Sequence, residues 1–160
     1  MALRLRSPAF GDGAPIPDRY TKGDRNISPP LEWSNAPEGT RSFVLLVDDP
    51  DSSSGEFRHW AVYNIPGDKI RLDENEDVSK FSEGVNDFGN QRYDGPQPPV
   101  GDGPHHYRFR LAALDTDRLE GIQGKAKASA IWNKAQPHVI DTAELVGTFE
   151  TRVEAGATAG

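Results

Sequence analysis

The chain has 160 residues, a net charge of −7 and no cysteine, with 16 glycines and 13 prolines. That length supplies the core of one domain, the charge argues against nucleic acid and anionic membrane as partners, and the missing cysteine excludes disulfides, a thiol nucleophile and Cys-ligated zinc. Glycine and proline well above the usual ~12% favour a loop-rich, β-dominated fold over a helical bundle.

The opening MALRLRSPAF carries basic residues but no apolar stretch of signal-peptide length. No window approaches the ~20 apolar residues of a membrane span, so the expectation is a soluble, cytoplasmic protein. Twelve Arg stand against six Lys and fifteen Asp against ten Glu, a balance that suits a salty cytoplasm. NISPPLEW, from Asn26 to Trp33, has no evident chemistry, and its double proline and tryptophan read as structural.

The first convincing strand is Ser42 to Val47, a continuous apolar run of the kind covered on both faces. It leads into DDPDSSSGEFRHW, where Asp49 and Asp51 flank Pro50 at a rigid strand exit. An extended Asp-Pro-Asp points both outer carboxylates the same way, and His59 opens the returning strand, Trp60 to Ile65, which Pro66-Gly67 closes. Two carboxylates and an imidazole can thus meet at one sheet edge. The same residues also read as an ordinary Asp/Ser turn beside a core histidine.

The segment from Tyr93 to Pro104 is a stiff Pro/Gly loop whose backbone N–H groups can approach an anion closely, or simply a surface connection. It runs into HHYRFRL, a strand from His105 to Leu111 whose alternation puts His105, Tyr107, Phe109 and Leu111 on a buried face and His106, Arg108 and Arg110 on a wet one. A helix is expected from about Lys125 to about Ile140, kinked by Pro137, and a closing strand from Leu145 to Thr151. No internal repeat or second composition regime is present, so residues 1–153 read as one domain and 154–160 as a disordered tail.

Taken in series, NISPPLEW, APEGTRSFVLLVDDPDS, RHWAVYNIP, GVNDFGNQRYDGPQPPVGDGPHHYRFRLAALD and AELVGTF resemble the phosphatidylethanolamine-binding protein family, in its compact bacterial and archaeal Raf-kinase-inhibitor-like branch, over roughly Leu5 to Thr151. The resemblance implies a mostly β fold, an antiparallel β-sandwich with one or two helices and a small anion pocket at one end. Carried over residue by residue, the pocket comprises Asp49, Asp51 and His59, with His105 and Tyr107 opposite and Pro98, Pro99 and Gly101 along the rim. Two departures are visible: DPDSSSG stands where the family commonly continues DPDAP, and His105-His106-Tyr107 stands where it commonly has His-Arg-Tyr.

The function so implied is a binding module for small phosphate-containing anions or phospholipid headgroups, with a kinase or protease as protein partner and a homodimer as its assembly. Two readings compete with it. One is a small acid–base hydrolase on the Asp/His pocket, although neither a Gly-x-Ser-x-Gly elbow nor a P-loop is present. The other is a protease or kinase inhibitor acting through the pocket rim. No enzyme, cofactor or metal is expected; two Asp with two His can bind a divalent ion, but the anion pocket accounts for the same residues.

Overall fold

A computed structural model describes residues 2–152. The expected tail at 154–160 lies outside the described residues. The described chain is mostly strand, arranged as two antiparallel sheets with a single α-helix. Strands β1 (Arg4–Arg6), β2 (Leu31–Ser34), β3 (Ser42–Asp49), β4 (Phe57–Pro66), β5 (Arg71–Leu72) and β6 (Ser82–Glu83) precede β7 (His105–Leu114), α1 (Ala128–Ala135) and β8 (Val139–Phe149). One sheet runs β1-β2-β5 and the larger one β6-β4-β3-β7-β8.

The apolar run read as a doubly covered strand is the centre of the large sheet. All eight residues of β3 are buried, between β4 on one side and β7 on the other. Phe43, Leu45 and Val47 face the small sheet and pack with Trp33, Leu72, Trp60, Phe109 and Leu111. Val44 and Leu46 face the other way, toward Ile131, Ala135 and Ala128 of α1. The helix therefore covers the second face of the sheet, which explains why alternation along β7 stops: Ala112, Ala113 and Leu114 are all buried.

Two expected boundaries are corrected. The helix is Ala128–Ala135 rather than Lys125 to Ile140, because Pro137 sits in a 3-10 turn, Gln136–His138, and Val139 already pairs with Leu114. The closing strand accordingly starts at Val139 rather than Leu145 and ends at Phe149. Its first half is half-buried and exposed by turns, and that weak contrast hides it beside an alanine-rich helix. Beyond the expected segments, NISPPLEW supplies β2, whose Leu31 and Trp33 are buried while Glu32 is only partly so.

Candidate functional site

Antiparallel pairing brings the end of β3 and the beginnings of β4 and β7 to one edge of the large sheet, with Asp49 opposite Phe57 and Val47 opposite both Trp60 and Phe109. At that edge lies a cavity of about 150 Å³ bordered by Asp49, His59, His105, Tyr107, Pro98 and Pro99, with Phe57, Phe88, Gln97, Ser52 and Ser53 completing its wall.

His59 reaches the cavity through an irregularity in β4. The β3–β4 register passes from Val47↔Trp60 to Asp48↔Arg58, leaving His59 as the extra residue of a bulge. A bulge re-aims a side chain. Strict alternation would send His59 away from Trp60's face, yet its ring stands edge-on to Tyr107 at 5.3 Å, within the same core as Trp60. Its Nδ1–H donates to the Asp94 carbonyl over 2.7 Å. Burial lowers the His59 pKa, against the smaller opposing pull of that carbonyl and of Asp49, so the ring is neutral with a bare Nε2. Nε2 has no hydrogen-bond partner among the described residues, and it is not sealed away: the fully buried side-chain nitrogens lacking partners are Arg58 Nε and Arg110 Nε.

His105 is held differently. Nδ1 donates to Asp49 Oδ2 at 2.6 Å and Nε2 to Asp102 Oδ2 at 3.0 Å. Burial alone would lower its pKa; the two carboxylate hydrogen bonds outweigh that and raise it, so the ring carries a proton between two carboxylates. The Tyr107 phenol is pushed up by burial, and further by the nearby charges of Asp49 and Asp51, so it stays a neutral hydroxyl.

Asp51 lies elsewhere. Asp49 Oδ1 accepts the Asp51 N–H at 2.7 Å, turning the chain so that the two carboxylates diverge rather than align. The Asp51 Oδ2 takes both the backbone N–H and Nδ1 of His106, each at 2.8 Å, on the exposed face of β7. Burial would raise the Asp51 pKa, but the His106 hydrogen bonds win and lower it. Gly101 is likewise off the cavity wall. Its φ of +91° occupies the third position of a turn closed by Asp102 N–H to the Pro99 carbonyl at 3.2 Å, a conformation that favours glycine. Its part is to fold Asp102 back over His105.

Three residues that the sequence did not flag hold the site. Asp94 is buried and accepts side-chain amide hydrogen bonds from Asn26, Asn86 and Asn90, each at 2.9 Å. Burial pushes its pKa up, and those amides more than reverse the effect. Asn26, inside the stretch without evident chemistry, also accepts the Gly95 N–H at 2.7 Å. The peptide that receives His59 Nδ1–H is therefore clamped from both sides. Asp102 is the third, and its glycine neighbours were the available signal. On the opposite face of the sheet, buried Asp48 pairs with Arg108 (2.8 and 3.0 Å) and with Arg110 (2.5 Å), a charge cluster beneath Trp132 and separate from the cavity.

Among the described residues no three His, Asp or Glu side chains converge as metal ligands, and no helix is long and apolar enough to cross a membrane. A family model described as phosphatidylethanolamine-binding protein matches residues 6–150. The chain is 39% identical to the UPF0098 protein of Aquifex aeolicus over 92% of its own length and 88% of that protein's. A Mycobacterium tuberculosis relative named "Putative lipoprotein LppC" is 42% identical over 92% of this chain and 72% of its own. The crystal structure of E. coli YbcL, described as a member of the mammalian PEBP family, superposes with a TM-score of 0.88 at 29% identity, covering 94% of this chain and 99% of that one.

Proposed function

The chain belongs to the phosphatidylethanolamine-binding protein family, a ligand-binding family, and from that premise we propose that it binds small phosphate-containing anions or phospholipid headgroups in the cavity beside His105. The observation that supports this most is the fixed imidazolium at the cavity wall. His105 cannot rotate away, because both nitrogens are tied. The two carboxylates that hold it also keep it charged, and that cation offsets part of the repulsion an anion meets beside them, with the neutral Tyr107 hydroxyl as a further donor on the cavity wall. Asp49 and Asp102 thus serve the anion indirectly, by accepting hydrogen bonds that stabilise the protonated form of the ring it meets.

No nucleophile poised for turnover is part of this reading. Ser52 Oγ is already paired with Ser54 Oγ at 3.2 Å. The hydrolase alternative is favoured by one observation, that Ser53 borders the same cavity as the bare Nε2 of His59. Turnover of simple carboxylic and phosphate esters, abolished by Ser53→Ala, would promote it.

A cytoplasmic location, a homodimer and a kinase or protease partner at the rim complete the proposal. Fractionation, sedimentation and affinity capture with a His105→Ala control test them in turn. The binding claim itself is tested by titrating inorganic phosphate into the chain while following the His59 and His105 ring signals by NMR. Saturable shifts at those rings, lost in His105→Ala, are expected. Absence of any shift at millimolar phosphate would overturn the anion pocket.

A further inference from the structure

The loop that joins β3 to β4 contributes Ser52 and Ser53 to the cavity wall. Among the described residues, the hydrogen bonds of residues 52–55 stay within that loop. Gly55 N–H donates to the Ser52 carbonyl at 3.0 Å, Ser54 N–H to Ser52 Oγ at 3.4 Å, and Ser52 Oγ pairs with Ser54 Oγ at 3.2 Å. The side chains that fasten the loop to the body stand at its two ends and meet successive outward positions of β7. Asp51 is held by His106, whose backbone N–H and Nδ1 both lie 2.8 Å from Asp51 Oδ2. Glu56 lies 3.6 Å from Arg108 Nη2 and 3.4 Å from Arg110 Nη2, and its backbone carbonyl accepts from Arg58 Nη1 at 3.2 Å. The two departures from the family pattern, DPDSSSG and His105-His106-Tyr107, thus meet at one contact.

We propose that the Asp51–His106 contact is a pH-sensitive fastening on the serine wall of the cavity, tight while the imidazole is protonated and looser once it is neutral. As a control on ligand binding it rests on the anion reading of the cavity; as a property of the loop it does not. An arginine at position 106 would hold its charge at every working pH. Histidine is the residue type whose charge changes near neutral pH, and it stands there in this chain.

Within the pair only the imidazole changes charge. Burial would raise the Asp51 pKa, but the His106 hydrogen bonds outweigh it, so Asp51 stays ionised while the ring gains or loses its proton. The other charged groups around His106 have partners of their own. His105 turns to the buried face and holds Asp49 and Asp102, while Arg108, next along the outward face, is bonded to Asp48. Across on β8, Thr148 is uncharged, and Glu150 beyond it pairs with Arg152 at 3.8 Å. Glu56, at the far end of the loop, has its pKa raised by its hydrogen bond to Asp48 and by burial, so its titration acts from the acid side. As pH rises through the imidazole's titration the ion pair is lost, but the backbone N–H still reaches Asp51, and the fastening loosens rather than parts. The His106 and Asp51 side chains are 55% and 41% exposed, so solvent screens the pair. Its loss therefore changes loop opening by about two- to fivefold, the scale of an exposed ion pair.

The test is amide hydrogen exchange on the full chain, corrected for the intrinsic rate at each pH, in wild type, His106→Arg and Asp51→Asn. The amides of Gly55 and of position 106 are followed, and the wild-type His106 ring signals report its protonation. The first variant keeps the charge at every pH; the second keeps an acceptor oxygen and removes the charge. Wild type is expected to match His106→Arg where the ring is protonated and Asp51→Asn where it is neutral, with protection falling about two- to fivefold in step with the ring. A wild-type change below about twofold, or a His106→Arg loop that loosens with pH as wild type does, overturns the fastening. An Asp51→Asn loop as protected as wild type on the acid side overturns it too. Titration of inorganic phosphate into the same three proteins tests the link to the cavity. The ratio of wild-type to His106→Arg affinity is expected to fall by the same factor as pH rises, and a constant ratio beside a responsive loop overturns the control on binding alone. No phosphate binding by any of the three removes the anion reading, and that control with it, and leaves the fastening to be judged by exchange.

Discussion

Asp49→Asn isolates the contact that keeps His105 charged while preserving side-chain shape. Both partners are nearly sealed, with 6% of each side chain exposed, and the Oδ2 to Nδ1 distance is 2.6 Å. The asparagine carbonyl can still accept the Asp51 N–H that Asp49 Oδ1 takes at 2.7 Å. Its amide must then face His105 Nδ1, which can no longer donate, and the imidazole reverts to neutral. A charge-assisted hydrogen bond of this type contributes ~1.5–3 kcal/mol. For a chain of this size that is a fall in melting temperature of roughly 3–12 °C. The sign with pH follows from the imidazole. Burial lowers its pKa, the hydrogen bonds to Asp49 and Asp102 raise it by more, and the folded value ends above the unfolded one. The contribution is therefore complete below the unfolded pKa of ~6.5 and is lost as pH rises through the folded value. Urea unfolding of wild type and variant from mildly acidic to mildly alkaline pH should show a penalty that is largest on the acid side and shrinks toward the alkaline side. A penalty that is flat across the range, or below about 0.5 kcal/mol throughout, refutes the assignment of His105 as a cation held by Asp49.

Asp48→Asn leaves the half-buried Arg108 and Arg110 with Glu56 as their remaining shared carboxylate and is expected to cost ~1.5–3 kcal/mol in denaturant unfolding. Because Asp48 lies on the helix-covered face, phosphate affinity of the folded variant should not change, and a changed affinity would join the two sites that the structure separates. Gly95→Ala drives a Cβ into the Tyr20 carbonyl oxygen and shifts the Asp94 peptide that anchors His59. Calorimetry should show ~1–3 kcal/mol of overpacking, with weakened phosphate binding beside it, and a wild-type melting curve argues against the clamp. Lys22→Ala should weaken phosphate binding by up to about fivefold and flatten its salt dependence, since Lys22 brings the outer cation of the wall. An unchanged salt slope removes Lys22 from the site.

The strands that the sequence made legible are those whose side chains have a strong periodic contrast. Ser42 to Val47 announced itself by being apolar throughout, and β7 by alternating His105, Tyr107, Phe109 and Leu111 with polar neighbours. The first half of β8 lacks that contrast, and the short strands β1, β5 and β6 hold too few residues to show any. For the site, Asp49, His59, His105, Tyr107, Pro98 and Pro99 border one cavity, whereas Asp51 and Gly101 support it from outside. What separates the two groups is local backbone geometry: the Asp49–Asp51 turn and the Pro99–Asp102 turn each redirect a side chain that residue type alone leaves free.

By itself the sequence determined the β-rich architecture, the central strand and the three segments that meet at the sheet edge, because apolar periodicity and Pro/Gly punctuation act over a few residues and need no partner. Tertiary structure alone decided the protonation pattern. His59 and His105 are the same residue type on neighbouring elements, yet one is made neutral by burial, against the pull of a carbonyl, and the other cationic by two carboxylates. Those partners come from residues 94, 49 and 102. Only the bulge in β4, the asparagine clamp on Asp94 and the glycine turn before β7 bring them within hydrogen-bonding distance.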